Sequence, residues 1–441
     1  MSPSTSWPRL ARSILAAAAI AVATVLPARA FEIEEVTAPG TGVTAFLVED
    51  RTNPIITLRI AFKGGALIER EGEEGLVNLL SGMLDEGAGE LTSEEFQRRL
   101  DERGIRFSAS SGREGFRVGV TALEDRFDEA VELLASALAE PRFDAEPLAR
   151  MKRQIAGSLR ASRATPRAEA SREVRELIWG EHPYARSASG EPEIIEAATP
   201  EALRGVSRRL FTRDNAVVGA VGAIDAGGLA DALDTVFADL PEAGERLDLP
   251  AAEPTLGVEK DIALPGGQVS IQVVLPAPLR EEDDFFAAYL VNHVLGGGTF
   301  TSRLYNELRE KRGLTYGASS GIATLDRGAT WTAGVQTRPE NAGEARRILL
   351  GEIERMAKDG PTEAELEAAK AYVKGSYAIN NFGSSSAVAG VLLGLQESDL
   401  GIDYIDRRGA LIDAVTIEDA RAAAARYLGA EPTVIVTRPS A

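Results

Sequence analysis

The sequence contains few residues that could carry out acid–base, nucleophilic or metal chemistry. It has no cysteine, so thiolate metal sites, cysteine nucleophiles and disulfides are excluded. Its two histidines, His182 and His293, lie 111 residues apart. His182 precedes Pro and Tyr, where we expect it to order a turn, and His293 lies in the apolar segment AAYLVNHVLGGG, as a core or rim histidine would. A zinc site that uses both is not expected, and no nucleophile–base or carboxylate pair stands out.

An arginine and a tyrosine seven residues apart are a further candidate. Arg309 falls on a predicted helix, and Tyr316 follows a predicted turn at Gly313. An arginine and a tyrosine hydroxyl can stabilise negative charge that develops on an oxygen atom during a reaction. On the residues alone, a surface charge and a core aromatic are the simpler interpretation.

The first thirty residues have the pattern of a secretory signal peptide. Arg9 and Arg12 precede the apolar run 14–26, and Ala28-Arg29-Ala30 is an A-x-A cleavage site. The run is too short for a membrane anchor, which needs roughly 20 apolar residues. We therefore expect cleavage after Ala30, export to the periplasm and no membrane span in the mature chain.

The composition is strongly acidic. The formal charge is −19, and removal of a signal segment with three arginines and no acidic residue takes it to −22. This charge disfavours nucleic acid and anionic lipid as partners. It would suit basic peptides, although it also serves solubility.

An internal repeat divides the chain into two halves. At a constant offset of 209, the segment 96–112, FQRRLDERGIRFSASSG, matches 305–321, YNELREKRGLTYGASSG. Each half has the same predicted order, which is a strand, two helices, a further strand and long alanine-rich helices. The boundaries are 31–245 for the first half, 246–264 for a Pro- and Gly-rich linker, and 265–441 for the second half.

The predicted strands alternate between apolar and polar residues, as half-buried antiparallel strands do. Examples are VTAFLVED (43–50), ITLRIAF (56–62) and FRVGVTAL (116–123), while 127–138 repeats its apolar residues at helical spacing. The predicted fold class is therefore α+β, with two homologous halves that each form an antiparallel sheet with helices on one face. Residues 150–175 are predicted to form a charged, exposed helix that is interrupted at Pro166.

Four blocks in order resemble the pitrilysin, insulysin and mitochondrial processing peptidase family, whose members carry an inverted H-x-x-E-H zinc motif. The blocks are GGALIEREGEEGLVNLLSGML (64–84), FDAEPLARMKRQ (143–154), HPYARSASG (182–190) and SRLYNELREKRGLTYGASS (302–320). The resemblance covers nearly the whole mature chain.

The resemblance also implies that the zinc ligands and the catalytic glutamate of the family are missing from this chain. The two metal histidines would fall on Asn78 and Gly82, the catalytic glutamate on Ser81, and the third ligand on Gly157 or Ser158. Asn and Ser are poor zinc ligands and Gly has no side chain, so these degenerate positions predict a chain without its own zinc site. The chain itself is expected to bind no cofactor.

The resemblance implies a substrate role for Arg309 and Tyr316, because an Arg and a Tyr at this spacing hold the substrate backbone in the family. Leu100 and Phe107 hold the equivalent places in the first half. The stretch Gly296-Gly297-Gly298 resembles a phosphate-cradling loop only weakly, because no G-K-[ST] follows it. A flexible loop near the substrate and a tight turn between helices both stay open. Residues 105–111 are expected to form an edge strand of the framework.

These observations favour a non-catalytic subunit of an exported heteromeric zinc metalloendopeptidase. A homologous subunit with an intact H-x-x-E-H motif would hold the zinc, and this chain would contribute Arg309 and Tyr316 to bind a peptide substrate and stabilise the transition state. The alternative is an inactive scaffold or peptide-binding protein of the same fold. An independent enzyme with a new site is a third, weaker hypothesis.

Overall fold

A computed structural model describes residues 32–244, 248–265 and 267–440, and the predicted signal peptide lies outside them. Two sheets dominate this part of the chain. The first has the order β1-β2-β6-β3-β5-β4 and the second β7-β11-β8-β10-β9. The strands are β1 Glu34–Thr37, β2 Thr44–Glu49, β3 Ile55–Lys63, β4 Arg106–Ser111, β5 Gly115–Leu123, β6 Ala216–Gly222, β7 Glu259–Leu264, β8 Val269–Pro276, β9 Thr315–Leu325, β10 Gly328–Thr337 and β11 Thr433–Pro439.

The two sheets have the same topology. Strands β2, β6, β3, β5 and β4 of the first occupy the places of β7, β11, β8, β10 and β9 in the second. Each sheet is antiparallel apart from one parallel pair, β2 with β6 and β7 with β11. Gly104 (φ 62°), which caps a helix, and Gly313 (φ 63°), which follows the π-helical turn Asn306–Glu310, both adopt the left-handed region that favours glycine, at the predicted offset of 209. The α+β architecture of two homologous halves is confirmed.

Helices supply the other layer of each half. Their apolar faces pack on the sheets to form one core from the first half and one from the second. The helices are α1 Leu76–Ser81, α2 Ser93–Arg103, α3 Phe127–Ala139, α4 Ala145–Arg163, α5 Pro166–Trp179, α6 Pro192–Ala197, α7 Pro200–Leu210, α8 Ala226–Phe237, α9 Phe285–Asn292, α10 Arg303–Tyr305, α11 Ala342–Asp359, α12 Glu363–Asn381, α13 Ser385–Glu397, α14 Tyr404–Ala414 and α15 Ile417–Ala423.

The predicted helix over 150–175 is two helices. The first, α4, ends at Arg163, and α5 begins at Pro166, with the Thr165 hydroxyl accepting from the Ala168 N–H as an N-cap. Proline suits the first helical position because its missing N–H would have no intrahelical partner there. The interruption at Pro166 is therefore confirmed, and it turns α5 towards the second half.

One helix from each half packs on the sheet of the other half. Ile178 of α5 packs against Ile262, Val274 and Ile435 of the second sheet. In return α13 lies on β6 and β3 of the first sheet, where the Gln396 side chain donates to the Val218 carbonyl at 2.7 Å. Helices thus cover part of the second face of each sheet as well, which the sequence did not predict.

The segment between the halves is held by hydrogen bonds. The Ala252 N–H donates to the Arg327 carbonyl at 2.6 Å, and the Thr255 N–H donates to the Ile178 carbonyl at 2.8 Å. Residues Glu259–Leu264, which the sequence placed in the linker, form β7 because they pair with β11. A second tie is the buried Tyr184, whose hydroxyl contacts Glu114 and accepts from the Arg327 N–H at 3.0 Å.

In the described residues, no single helix has the length and apolar character needed to cross a membrane. The helices α12 and α13 pass that test only when taken together, by length and composition alone, and the pair is bent by 119°.

The contact between α13 and the first sheet predicts a matched pair of mutant stabilities. A Cβ at Gly219 of β6 would lie 2.9 Å from the Ala389 carbonyl oxygen and 3.0 Å from the Leu392 Cβ. Since a backbone atom must move, we expect Gly219→Ala to lower the free energy of unfolding by about 1–3 kcal/mol. Urea denaturation of the mature chain would measure it.

Gly157→Ala is the control. A Cβ at Gly157 would meet nothing within 4 Å, so this change in α4 should be neutral or stabilise by up to about 1 kcal/mol. Equal effects of the two substitutions would contradict the tight docking of α13.

Candidate functional site: a peptidase frame with an open groove

A buried carboxylate positions the helix that contains the degenerate metal positions. Glu69 is 5% exposed, and its carboxylate accepts from the Gly75 N–H at 3.1 Å and the Val77 N–H at 2.7 Å. These N–H groups belong to the first turn of α1 and have no partner within the helix. Burial raises the pKa of Glu69 to about 7, although the two N–H groups oppose that shift. Glu69 therefore holds the start of α1 in place.

The predicted metal positions on α1 are occupied by side chains that hydrogen-bond to the backbone. The Asn78 amide donates to the Ser189 carbonyl at 2.9 Å, and the Ser81 hydroxyl donates to the Asn78 carbonyl at 2.7 Å. Gly82 caps the helix, and a Cβ there would lie 2.9 Å from the Sδ of Met151. The space beside the second histidine position is thus filled by a methionine from α4.

The residues at the third predicted ligand position make no side-chain contact with the positions on α1. Gly157 and Ser158 are exposed on α4, the helix that contacts α1 through Met151. In the described part of the chain, no three His, Cys, Asp or Glu residues are grouped so that they could hold a metal ion. The frame of two crossing helices is present, but Asn78, Ser81, Gly82 and Ser158 offer no ligand set for zinc.

Both histidines make structural contacts with neighbouring tyrosines. The Nδ1 of His182 accepts from the Tyr184 N–H at 3.1 Å, so His182 orders the turn 183–185 as predicted. The ring of His293 stacks on Tyr372 with centroids 4.8 Å apart, and burial lowers its pKa. Neither ring belongs to a cluster of metal-ligating groups in the described ranges.

Arg309 and Tyr316 lie together at the start of β9. Arg309 belongs to the π-helical turn Asn306–Glu310, and its guanidinium donates to the Thr315 carbonyl at 3.2 Å. The same guanidinium carbon is 5.1 Å from the centroid of the Tyr316 ring, a cation–π distance. The Tyr316 ring is 80% exposed. The tyrosine is therefore an exposed residue held by an arginine, and the simpler interpretation as a core aromatic is wrong.

An open groove adjoins Tyr316 on the face of the second sheet that lies opposite the helices. Its volume is about 680 Å³, and β8, β9 and β10 form its floor. Ser270 and Gln272 contribute from β8, Ser319 from β9, and Thr332 and Gln336 from β10. No charged side chain lines it in the described residues, and Arg309 lies behind Tyr316 instead of in the groove.

The first half has no counterpart of the Arg309–Tyr316 pair of the second half. Leu100, in the place of Arg309, is 4% exposed and belongs to the core, and Phe107 packs edge-on against Phe96 at 6.0 Å. The same helix-turn-strand unit therefore buries apolar residues in one half and presents Arg309 and Tyr316 in the other. The residues 106–111 form the edge strand β4, as predicted.

The glycine stretch 296–298 forms the end of the π-helical turn His293–Gly297 and the residue after it. A Cβ at Gly296 would lie 2.3 Å from the Ser320 N of β9, and one at Gly298 would lie 2.8 Å from the His293 carbonyl oxygen. Glycine is needed here because the end of the π-helical turn His293–Gly297 approaches β9 closely. The close packing favours a tight turn, and nearness of this stretch to a substrate stays a prediction.

Two features of the site were missed in the sequence. The groove floor comes from alternate positions of predicted strands, so period-two alternation in VSIQVVL could have indicated Ser270 and Gln272. Glu69 ends the segment GALIE (65–69) in the block that carries the family resemblance, but its burial was not predicted, since a buried carboxylate and an exposed one look alike in a sequence.

The fold and site define a two-half, peptidase-like chain whose metal positions carry no ligands. Residues 44–191 match the family described as Insulinase (Peptidase family M16), and residues 197–373 match the family described as Peptidase M16 inactive domain. The chain belongs to peptidase family M16, the family that the resemblance indicated.

Relatives within the family carry two kinds of name. The non-peptidase homolog YmxG of Helicobacter pylori is 25% identical over 341 residues, which cover 76% of this chain and 77% of that protein. An uncharacterized zinc protease of Mycobacterium tuberculosis is 27% identical over 262 residues, which cover 57% of this chain and 58% of that protein.

Solved structures share the whole fold. The peptidase M16 inactive domain from Pseudomonas fluorescens has a TM-score of 0.85 and 25% identity, with 93% of this chain and 98% of that chain covered. A protease from Helicobacter pylori has a TM-score of 0.80 at 20% identity, with 93% and 100% covered, which shows the fold. The matches to an inactive domain and a non-peptidase homolog indicate a catalytically inactive subunit.

The raised pKa of Glu69 predicts a pH-dependent stability. In the unfolded chain the carboxyl should titrate near its ordinary value of 4.5, and in the folded chain at about 7. The folded state therefore binds more protons between these values, and this group's contribution to stability falls as the pH rises through the window. Neighbouring Glu73 and Glu74 act in the same direction.

Glu69→Gln should remove this dependence. The stability of the wild type relative to Glu69→Gln should fall by on the order of 3 kcal/mol between pH 4.5 and 7.5, at about 1.4 kcal/mol per pKa unit. Denaturant titrations across that range would measure it, with Glu71→Gln, exposed in the same loop, as the control. Parallel pH profiles for wild type and Glu69→Gln would contradict the assignment.

Proposed function

We propose that this chain is the non-catalytic subunit of an exported, heteromeric zinc metalloendopeptidase. The mature chain begins after Ala30 and resides in the periplasm. A homologous subunit with an intact H-x-x-E-H helix holds the zinc, and this chain contributes Arg309, Tyr316 and the adjoining groove. The observation that carries the proposal is the 80% exposed Tyr316, fixed by Arg309 at the rim of an open groove.

The groove suits an extended peptide. Hydroxyl and amide side chains on its floor can hydrogen-bond to a peptide backbone without selecting for side-chain charge. The adjoining β9 is an edge strand, and an edge strand can add a peptide as a further strand. Both features favour recognition of the substrate backbone, as a general peptidase chamber requires.

Arg309 and Tyr316 would act on the reacting carbonyl group. The hydroxyl of an exposed tyrosine can donate to the oxygen on which negative charge develops. The guanidinium beneath the ring fixes its orientation and adds a positive charge close by. Zinc in the partner subunit would supply an activated water, which this chain cannot do because Ser81 stands where the glutamate base would be.

Substitution of the pair tests this role. In the assembled heteromer we expect Tyr316→Phe to lower kcat/KM for a fluorogenic peptide by about 10²-fold, as loss of one oxyanion donor typically does. Arg309→Ala should lower it through the displaced ring. Tyr372→Phe, at another exposed tyrosine, and Arg312→Ala, at an arginine paired with Glu307, are the matched controls. Unchanged activity in both test variants would exclude the role of the pair.

Metal content tests the division of labour. The heteromer should contain one zinc ion per pair of chains, and chelation should abolish cleavage until zinc is restored. The chain alone should contain no stoichiometric zinc by mass spectrometry, because Asn78, Ser81 and Gly82 cannot ligate it. Stoichiometric zinc in the isolated chain would overturn the assignment. Tight peptide binding without cleavage in any assembly would instead favour the peptide-binding scaffold.

A further inference from the structure

A second cavity lies close to the degenerate metal helix. It has a volume of about 840 Å³ and is formed by the end of α4, the exposed face of α5 and the loop 185–191. Ser189, whose carbonyl accepts from Asn78, lies in its wall. Its volume falls in the range of about 300–1,000 Å³ that is common for ligand sites. We call it the arginine pocket, defined by Arg163, Arg167, Arg172, Arg175 and Arg186.

The arginine pocket is positively charged in a protein that is strongly acidic. Five arginines line it against three glutamates, whereas the whole chain has a formal charge of −19. Two of those glutamates are already paired, Glu191 with Arg163 and Glu176 with Arg172 at 3.4 Å. The positive charge of the remaining arginines is therefore largely uncompensated.

Three of these arginines, Arg167, Arg175 and Arg186, form no ion pair within the described part of the chain. Arg175 donates to the Ser171 carbonyl at 3.1 Å, and Arg186 donates to the Glu69 carbonyl at 3.3 Å. The Nε of Arg175 is buried without a hydrogen-bond partner. A buried guanidinium nitrogen without a partner is costly, and an anionic ligand would satisfy it.

The helical spacing of α5 accounts for two of the five arginines in the pocket. On α5, Ala170, Val174 and Ile178 pack towards the second sheet, so Arg172 and Arg175 fall on the opposite side. Burial is the main cause that lowers the pKa of Arg175; the charges of Arg163 and Arg172 lower it further, while those of Glu176 and Glu191 oppose the shift. The cluster therefore carries repulsion that an anion would relieve.

We propose that the arginine pocket binds the carboxylates of an acidic peptide segment, with Arg167, Arg175 and Arg186 as the anchors. A guanidinium pairs with a carboxylate through two parallel hydrogen bonds, which lysine cannot reproduce. The volume exceeds what a single small anion fills, and the hydroxyls of Ser162, Thr165 and Ser187 can take the peptide backbone. This inference rests on the proposed peptide-binding role of the chain, but not on Arg309 or Tyr316.

Direct binding to the isolated mature chain tests the inference. The probe is a fluorescent decapeptide rich in Glu and Asp, read by anisotropy, with the same peptide in Gln and Asn form as the comparison. We expect the acidic form to bind at least about tenfold more tightly, since one charge-assisted hydrogen bond is worth roughly 1.5–3 kcal/mol. Equal binding of the two peptides would overturn the proposal.

Variants locate the site. Arg167 and Arg186 are exposed, so the double variant Arg167→Gln/Arg186→Gln should fold and should weaken binding of the acidic peptide by about tenfold or more. Arg98→Gln/Arg407→Gln removes two exposed arginines elsewhere and should leave binding unchanged. Equal affinity in the two double variants would overturn the proposal.

Competition separates a peptide from a free anion. Inorganic phosphate should displace the acidic peptide only at concentrations well above those of the unlabelled peptide. Displacement by phosphate at the same concentration would overturn the proposal in favour of a small-anion site. Failure of the proposed function is distinguishable, because loss of partner-dependent cleavage in Tyr316→Phe is measured on the heteromer and acidic-peptide binding on the chain alone.

Discussion

The reciprocal exchange of helices between the two sheets is the constraint on which the rest of the structure depends. α5 leaves the first half to bury Ile178 on the second sheet, and α13 leaves the second half to lie against Gly219 of the first. Each sheet therefore has helical cover on part of its second face, supplied by the other half, in addition to the core on its first face. Tyr184 and the residues near Ala252 add hydrogen bonds across the same boundary.

This exchange also decides which surfaces remain open. Because α5 covers β7, β11 and part of β8, the exposed face of the second sheet is limited to β8, β9 and β10, beside Tyr316. The opposite side of α5 then forms a wall of the arginine pocket. The apolar face of α5 therefore packs on the second sheet, and its charged face lines the arginine pocket.

Helix α1, with the predicted metal positions, is held in place by contacts that need no zinc ligand. Glu69 still holds the start of α1, and α4 still crosses it, but Met151 fills the space beside Gly82 and Asn78 binds the backbone of the loop 185–191. These contacts give the residues at the metal positions a structural role. The loss of zinc ligands is therefore compatible with an intact fold.

The sequence predicted the elements well and their assembly only in part. The repeat at an offset of 209, the break at Pro166 and the turn at Gly313 depend on local spacing, which a sequence shows directly. The exchange of α5 and α13 depends on contacts such as that of Gly219 with Ala389. An apolar pattern predicts that a residue is buried, but not which part of the chain it packs against. Likewise, a charged helix over 150–175 predicted exposure, but not that Arg175 would be partly buried among other arginines.

The most direct test of the central claim is to purify the tagged mature chain from its native periplasm, identify what copurifies by mass and assay the eluate for chelator-sensitive peptide cleavage. The account predicts a homologous chain of similar size with an intact H-x-x-E-H helix, and cleavage that neither chain shows alone. Recovery of the chain by itself, or with a membrane complex and without cleavage, would contradict it.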